Sequence, residues 1–174
     1  MTDTCCNCGN CCDSGQKDKI DIDFLYLDLE ACKRCCGTET ALKEALEALQ
    51  GTLDAAGFDV SLNYHLVASE ADAKKFKFLS SPTIRVNGRD IDTDIKENKC
   101  ESCGDICGED IDCRVWVYKG KEYSIPPKEL IINSILEEIY SPKKYKPDGE
   151  YIIPPNLKKF FNVRDYHEKE SNSH

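Results

Sequence analysis

The stretch Asp28-Leu29-Glu30-Ala31-Cys32-Lys33-Arg34-Cys35-Cys36-Gly37 constrains this chain more than any other, because it puts a Cys-x-x-Cys pair where an apolar run gives way to a helical pattern. Upstream, Ile20, Ile22, Phe24 and Tyr26 alternate with their neighbours, and the run becomes apolar on both faces through Phe24-Leu25-Tyr26-Leu27. That pattern fits a central strand covered on both sides. Downstream, Leu42, Ala45, Leu46, Leu49 and Leu53 recur at helical spacing, and Gly51 and Gly57 mark the weakening and end of a helix of about four to five turns. A thiol at the start of such a helix meets unpaired N–H groups and the positive end of the helix dipole, so its thiolate is favoured. Lys33 and Arg34 add positive charge beside it. Two cysteines at this spacing can equally be half of a structural zinc site, so redox chemistry and metal ligation both remain open here.

The chain holds 12 cysteines, and their grouping narrows the choice. They fall into Cys5, Cys6, Cys8, Cys11, Cys12; then Cys32, Cys35, Cys36; then Cys100, Cys103, Cys107, Cys113. Disulfide staples of a small secreted fold spread along the chain, whereas ligands and redox partners converge. The N-terminus goes from Met1 into cysteines and polar residues with no basic segment followed by an apolar one, and no stretch approaches the ~18 apolar residues of a membrane span. A soluble protein of the reducing cytoplasm is expected, whose thiols serve metal ligation or thiol chemistry. With 23 Lys and Arg against 32 Asp and Glu, the formal charge is -9, which argues against nucleic acid and anionic membrane as partners.

Along the chain, residues 1–19 read as a cysteine-rich flexible arm able to wrap a soft ion such as Zn²⁺ or Cu⁺. Phe58, Val60, Leu62, Tyr64 and Leu66 alternate with polar residues as a half-exposed strand, parallel to the first and at a sheet edge, with His65 solvated on its polar face. Ser69-x-x-Asp72 opens a short helix through Phe76. Asn87-Gly88 between Thr83-Ile84-Arg85-Val86 and Arg89-Asp90-Ile91 is a hairpin signal, since a type I′ turn needs positive φ at both central positions. Residues 98–113 form a cysteine-rich insertion whose Cys100, Cys103, Cys107 and Cys113 can make an all-thiolate site. A further hairpin, Arg114–Tyr118 with Glu122–Ile125, precedes a last helix carrying Ile131, Ile132, Ile135, Leu136, Ile139 and Tyr140. The proline-interrupted residues 141–174 read as an irregular strap packed on the body or a docking tail, with His167 to His174 frayed.

Two signatures together, Cys32-Lys33-Arg34-Cys35 at a strand-to-helix turn and Ser81-Pro82-Thr83 opening a strand that ends in Asn87-Gly88, resemble the thioredoxin and glutaredoxin superfamily over residues 20–140. Combined with the cysteine-rich insertion, they look like an uncharacterised thioredoxin-like family of prokaryotic proteins connected with heavy-metal or arsenic handling. The resemblance implies an α/β, thioredoxin-like three-layer fold (βαβα-ββ-α), extended here by the insertion and the extra hairpin. It also implies a cis Pro82 facing the pair, with Cys32 as nucleophile and Cys35 or Cys36 resolving. Thioredoxin's own Trp and Gly-Pro are missing from the motif and Cys36 is additional, which departs from a general disulfide reductase. The implied topology brings the insertion out beside Cys32, so the second and third cysteine groups can share one ion or pass a disulfide. Cys12 lies eight residues before Ile20, a reach of at most ~27 Å against a strand of ~30 Å running the other way, so the arm binds its own ion or delivers thiols elsewhere.

Two functions follow. One is a thiol–disulfide oxidoreductase connected with metal or metalloid handling, partnered by a disulfide-bearing protein or a small thiol reductant and needing no redox cofactor. The other is a non-enzymatic protein that binds or transfers a thiophilic ion (Zn, Cu, Hg or As), partnered by a metal donor or acceptor protein.

Overall fold

The alternation that opens at Ile20 becomes strand β1 (Asp18–Tyr26), in a computed structural model that describes residues 17–100, 111–141 and 150–171. Helix α1 (Lys33–Ala55), strand β2 (Phe58–Leu66) and the short helix α2 (Glu70–Phe76) follow. Next come β3 (Thr83–Val86), β4 (Arg89–Asp90), β5 (Lys96–Lys99), β6 (Asp112–Tyr118) and β7 (Lys121–Tyr123). Helices α3 (Lys128–Tyr140) and α4 (Pro155–Ser171) close the order. The fold is mixed α/β, with a four-stranded sheet of order β2-β1-β3-β4 and a three-stranded sheet of order β5-β6-β7. β1 runs parallel to the edge strand β2 and antiparallel to β3. Among the described residues no helix is long and apolar enough to cross a membrane.

Alternation along β1 sorts side chains into two cores. Ile20, Ile22 and Phe24 pack with Leu42, Ala45, Leu49 and Leu53 of α1, Ile84 and Val86 of β3, Trp116 of β6, and Ile131 and Ile135 of α3. Leu25 and Leu27 face the other way, with Val67, Ala73 and Phe78 around α2. Ile153, Leu157, Phe160 and Phe161 from the C-terminal segment complete that second core, and Cys32, Cys35, Cys100 and Cys113 lie in it. The thiols therefore occupy one side of the sheet, and the side packed by α1 and α3 contains none of these four.

Local signals account for the punctuation. Asn87 and Gly88 take φ of 50° and 79°, which lets β3 turn back as β4. Ser69 accepts from the Asp72 N–H at 3.2 Å and donates its hydroxyl to the Asp72 carboxylate at 2.7 Å, closing the first turn of α2.

Several expectations are corrected. α1 ends at Ala55, just before Gly57 as expected, but its 23 residues exceed the expected four to five turns, and it passes unbroken through Gly51, which faces open space, because Leu49 and Leu53 are buried on either side of it. Packing of that face outweighs one unfavourable propensity. His65 is half-buried rather than simply solvated: its Nε2 lies 2.8 Å from an Asp23 carboxylate oxygen, and its ring packs on Phe76 at 4.7 Å. β5 was not expected, since Lys96-Glu97-Asn98-Lys99 is wholly polar and becomes a strand only through pairing with β6. The hairpin after Arg114 ends at Tyr123, leaving Ile125 outside the strand and pressed over Gly37. Within the expected C-terminal strap, Pro155–Ser171 is helical, so α3 is not the last helix and the helix continues through His167, while residues 142–149 and 172–174 lie outside the described residues. Pro155 at the first helical position, with Leu157, Phe160 and Phe161 on one buried face, explains that helix.

Candidate metal centre

Helix α1 begins where the sequence places the Cys-x-x-Cys pair. Cys32 is its N-cap, in extended conformation, and its sulfur accepts from the Cys35 N–H at 3.4 Å. Asp28 prepares this entry by accepting from the N–H groups of Glu30 and Ala31 at 2.7 and 2.8 Å, which turns the chain out of β1. Cys32 and Cys35 are 1% and 0% exposed, whereas Cys36, one residue on, faces solvent.

The second contribution comes from the β5–β6 ladder. Asn98 is paired with Cys113, and the ladder continues one step further through the Cys100 N–H to the Ile111 carbonyl at 2.9 Å. Cys100 and Cys113 thus lie diagonally on one face of the ladder, two positions out of register, where side chains still meet. That face is turned toward the start of α1. The sulfurs of Cys32, Cys100 and Cys113 all lie within 4.8 Å of one another, and all three residues are buried. Three thiolates around one tetrahedral zinc ion stand ~3.8 Å apart at ~2.3 Å Zn–S bonds, so the triangle is close to the size that a thiophilic ion requires. Five of the predicted ligands, Cys5, Cys6, Cys8, Cys11 and Cys12, lie outside the described residues, as do Cys103 and Cys107.

Cys35 stands outside the triangle, although it lies in the same motif. Its sulfur is 3.4 Å from the Ser81 hydroxyl, and the Ser81–Pro82 peptide bond is cis. The hydrogen bond to the Cys32 sulfur, then burial and the negative charge of Cys32, hold the Cys35 thiol far above the ordinary thiol range, against smaller opposite effects of Ser81 and Asp28. Cys35 is therefore held in its protonated, thiol form. Ser81 also accepts from the Leu27 N–H at 3.2 Å, so one hydroxyl ties the end of β1 to the thiol pair.

Two arginines hold the ladder in place, one against the helix and one against β3 and β4, and neither role is visible in the motif. Arg34 does not present a loose positive charge to the thiols. Its guanidinium donates to the carbonyls of Lys99 at 2.8 Å and Cys113 at 3.2 Å, clamping both strands of the ladder to the first turn of α1. Arg114, fully buried, forms a bidentate pair with Asp90 at 2.8 Å on both oxygens, donates to the Thr83 hydroxyl at 2.8 Å, and lies 4.4 Å over the Trp116 ring. Its backbone N–H donates to the Ser81 carbonyl at 2.8 Å. The three-stranded sheet is thereby pinned to β3 and β4, and Cys113 is fixed one residue from the pin. The Ser that precedes Pro82 and the Arg that follows Cys113 were the available sequence signals for Ser81 and Arg114.

A family model described as a domain of unknown function, DUF2703, matches residues 20–135. The chain belongs to the DUF2703 family. No curated protein and no solved structure matches it. The DUF2703 match contains Cys32, Cys35, Cys100, Cys113 and both arginine clamps, and leaves out the N-terminal cysteines and the C-terminal segment. Yet the DUF2703 domain is closed over its thiols by residues beyond the match. Asn156 accepts from the Asp112 N–H at 3.1 Å and donates to the Asp112 carbonyl at 2.6 Å, next to Cys113. Tyr151 donates to the Phe78 carbonyl, and Leu157, Phe160 and Phe161 fill the cysteine-containing core.

Proposed function

We propose that this DUF2703 protein binds a thiophilic metal ion, such as Zn²⁺ or Cu⁺, through Cys32, Cys100 and Cys113. The observation that carries the reading is the buried triangle of three sulfurs within 4.8 Å of one another. Thiolate is the donor such ions prefer, and a dry, apolar surround excludes competing water. The bound ion would supply positive charge that offsets the charge of buried thiolates. Protein purified without air should carry, or take up, one equivalent of Zn²⁺ more than Cys113→Ser or Cys100→Ser, by metal analysis alongside a thiol titration. Protein with no affinity for Zn²⁺, Cu⁺ or arsenite would end this reading.

A second reading, thiol–disulfide exchange on a thioredoxin-like scaffold, is favoured by a separate observation. Cys35 keeps its proton, donates its N–H to the Cys32 sulfur, and sits against Ser81 beside cis Pro82. The sheet order β2-β1-β3-β4, with its parallel and antiparallel neighbours, supports that scaffold. Burial of Cys32 to 1% exposure weighs against direct attack on a protein disulfide, which is why ion binding is placed first. In this second reading the partners are a small thiol reductant or a disulfide-bearing protein; in the first, a metal donor or acceptor protein of the cytoplasm. Cys32→Ser that reduces a model disulfide as fast as the parent protein rules out exchange.

A further inference from the structure

Cys32 takes part in two arrangements that exclude one another. Toward the β5–β6 ladder it is one of three sulfurs placed for an ion, and toward its own helix it is paired with Cys35. An N-cap residue and the third residue of its helix stand about one turn apart, within the ~4.4–6.8 Å Cα separation that a disulfide spans. Cys35 is close enough to bond Cys32 but is not a member of the triangle, so any bond it forms removes a ligand without adding one.

We infer that Cys32 makes the ion site redox-gated: oxidation joins Cys32 to Cys35 and empties the centre, and reduction restores it. The inference rests on the proposed ion binding and names its regulation. With Cys32 1% exposed, the oxidant suited to it is small, and a peroxide meets that requirement. The Cys32 thiolate attacks one peroxide oxygen, an S–O bond forms as the O–O bond breaks, and the departing hydroxide takes a proton to become water. The Cys35 sulfur then attacks the Cys32 sulfur, the S–S bond forms as the S–O bond breaks, and the second hydroxide leaves as water with the Cys35 proton. Two thiols are oxidised, one peroxide is reduced to two waters, and the ion departs as the cation that entered. A dithiol reverses the disulfide by exchange.

The test is a competition on the full chain. Protein with and without Zn²⁺ is exposed to hydrogen peroxide, quenched by alkylation under denaturing conditions, and its disulfides are mapped by peptide mass spectrometry, while a chromogenic chelator reports released Zn²⁺. Zn²⁺ should slow formation of the Cys32–Cys35 disulfide at least tenfold in the parent protein, and by less than twofold in Cys113→Ser or, should that variant not fold, Cys100→Ser. Release of the ion should rise in step with that disulfide and be undone by dithiothreitol. Formation of the disulfide at the metal-free rate in loaded protein overturns the gating alone, as does release while Cys32 and Cys35 remain alkylatable thiols. Failure of the parent to hold one equivalent more than Cys113→Ser and Cys100→Ser overturns the ion site itself, and the gating with it.

Discussion

The two cores on either side of the four-stranded sheet are built from the same alternating strand, yet they do different work. The core under α1 and α3 is hydrocarbon and indole throughout, from Ile20 and Phe24 to Leu42 and Trp116. The core under α2 and α4 buries four thiols among Leu27, Phe78, Ile111 and the residues of the C-terminal segment. Apolar contact is non-directional and tolerates nothing but shape, whereas thiols bring reactivity and demand placement by hydrogen bonds. Both cores bury apolar surface, but only the second adds thiols to it, so substitutions in the two should fail differently.

The largest effect expected is on stability, from the first core. Leu42→Ala removes a fully buried side chain and should cost about 2–5 kcal/mol in a denaturant titration, while the folded variant keeps its Zn²⁺ stoichiometry. Loss of the ion from folded Leu42→Ala would show that the cores are not separable in this way. An intermediate effect is expected where the ladder meets the helix. Arg34→Gln removes the donors to Lys99 and Cys113 and lets Cys100 and Cys113 drift from Cys32, so on the proposed ion binding Zn²⁺ affinity should fall about tenfold, ~1.4 kcal/mol. Unchanged affinity in a competition with a chelator would assign Arg34 a purely structural role. The smallest effect concerns the cover. Burial pushes the Tyr151 hydroxyl up to about 12, so the folded chain keeps that proton over a range in which the unfolded chain, titrating at the ordinary ~10, has lost it. The contribution of Tyr151 is complete below pH ~10 and disappears as pH rises toward about 12. Proteolysis within the C-terminal segment should accelerate across that window, and less so in Tyr151→Phe, whose ring has no proton to lose.

Elements announced by neighbouring residues were legible from the chain. Cys32 at a strand-to-helix junction, Ser69 as a cap and Asn87-Gly88 as a turn each depend on contacts a few residues apart, which composition and spacing encode. What escaped reading depends on residues far apart. Lys96–Lys99 is a strand only because β6 lies beside it, and His65 is paired only because parallel register brings β1 alongside β2. Arg34 reads as a positive neighbour of the thiols until the ladder offers it carbonyls. In the C-terminal segment the signal was present, since Pro155, Leu157, Phe160 and Phe161 have helical spacing, but the surrounding prolines obscured it.

The sequence by itself determined that Cys32 and Cys35 would share the first turn of a helix, because a strand pattern ends and a helix pattern begins around them. Only the tertiary structure decided which thiols meet. Cys35, three residues from Cys32, stays outside the triangle, while Cys100 and Cys113, far along the chain, enter it. Proximity in sequence fixes neighbours along one element, but which distant thiols meet is fixed by how a second sheet docks against that element, here through Arg34, Arg114 and the ladder they hold.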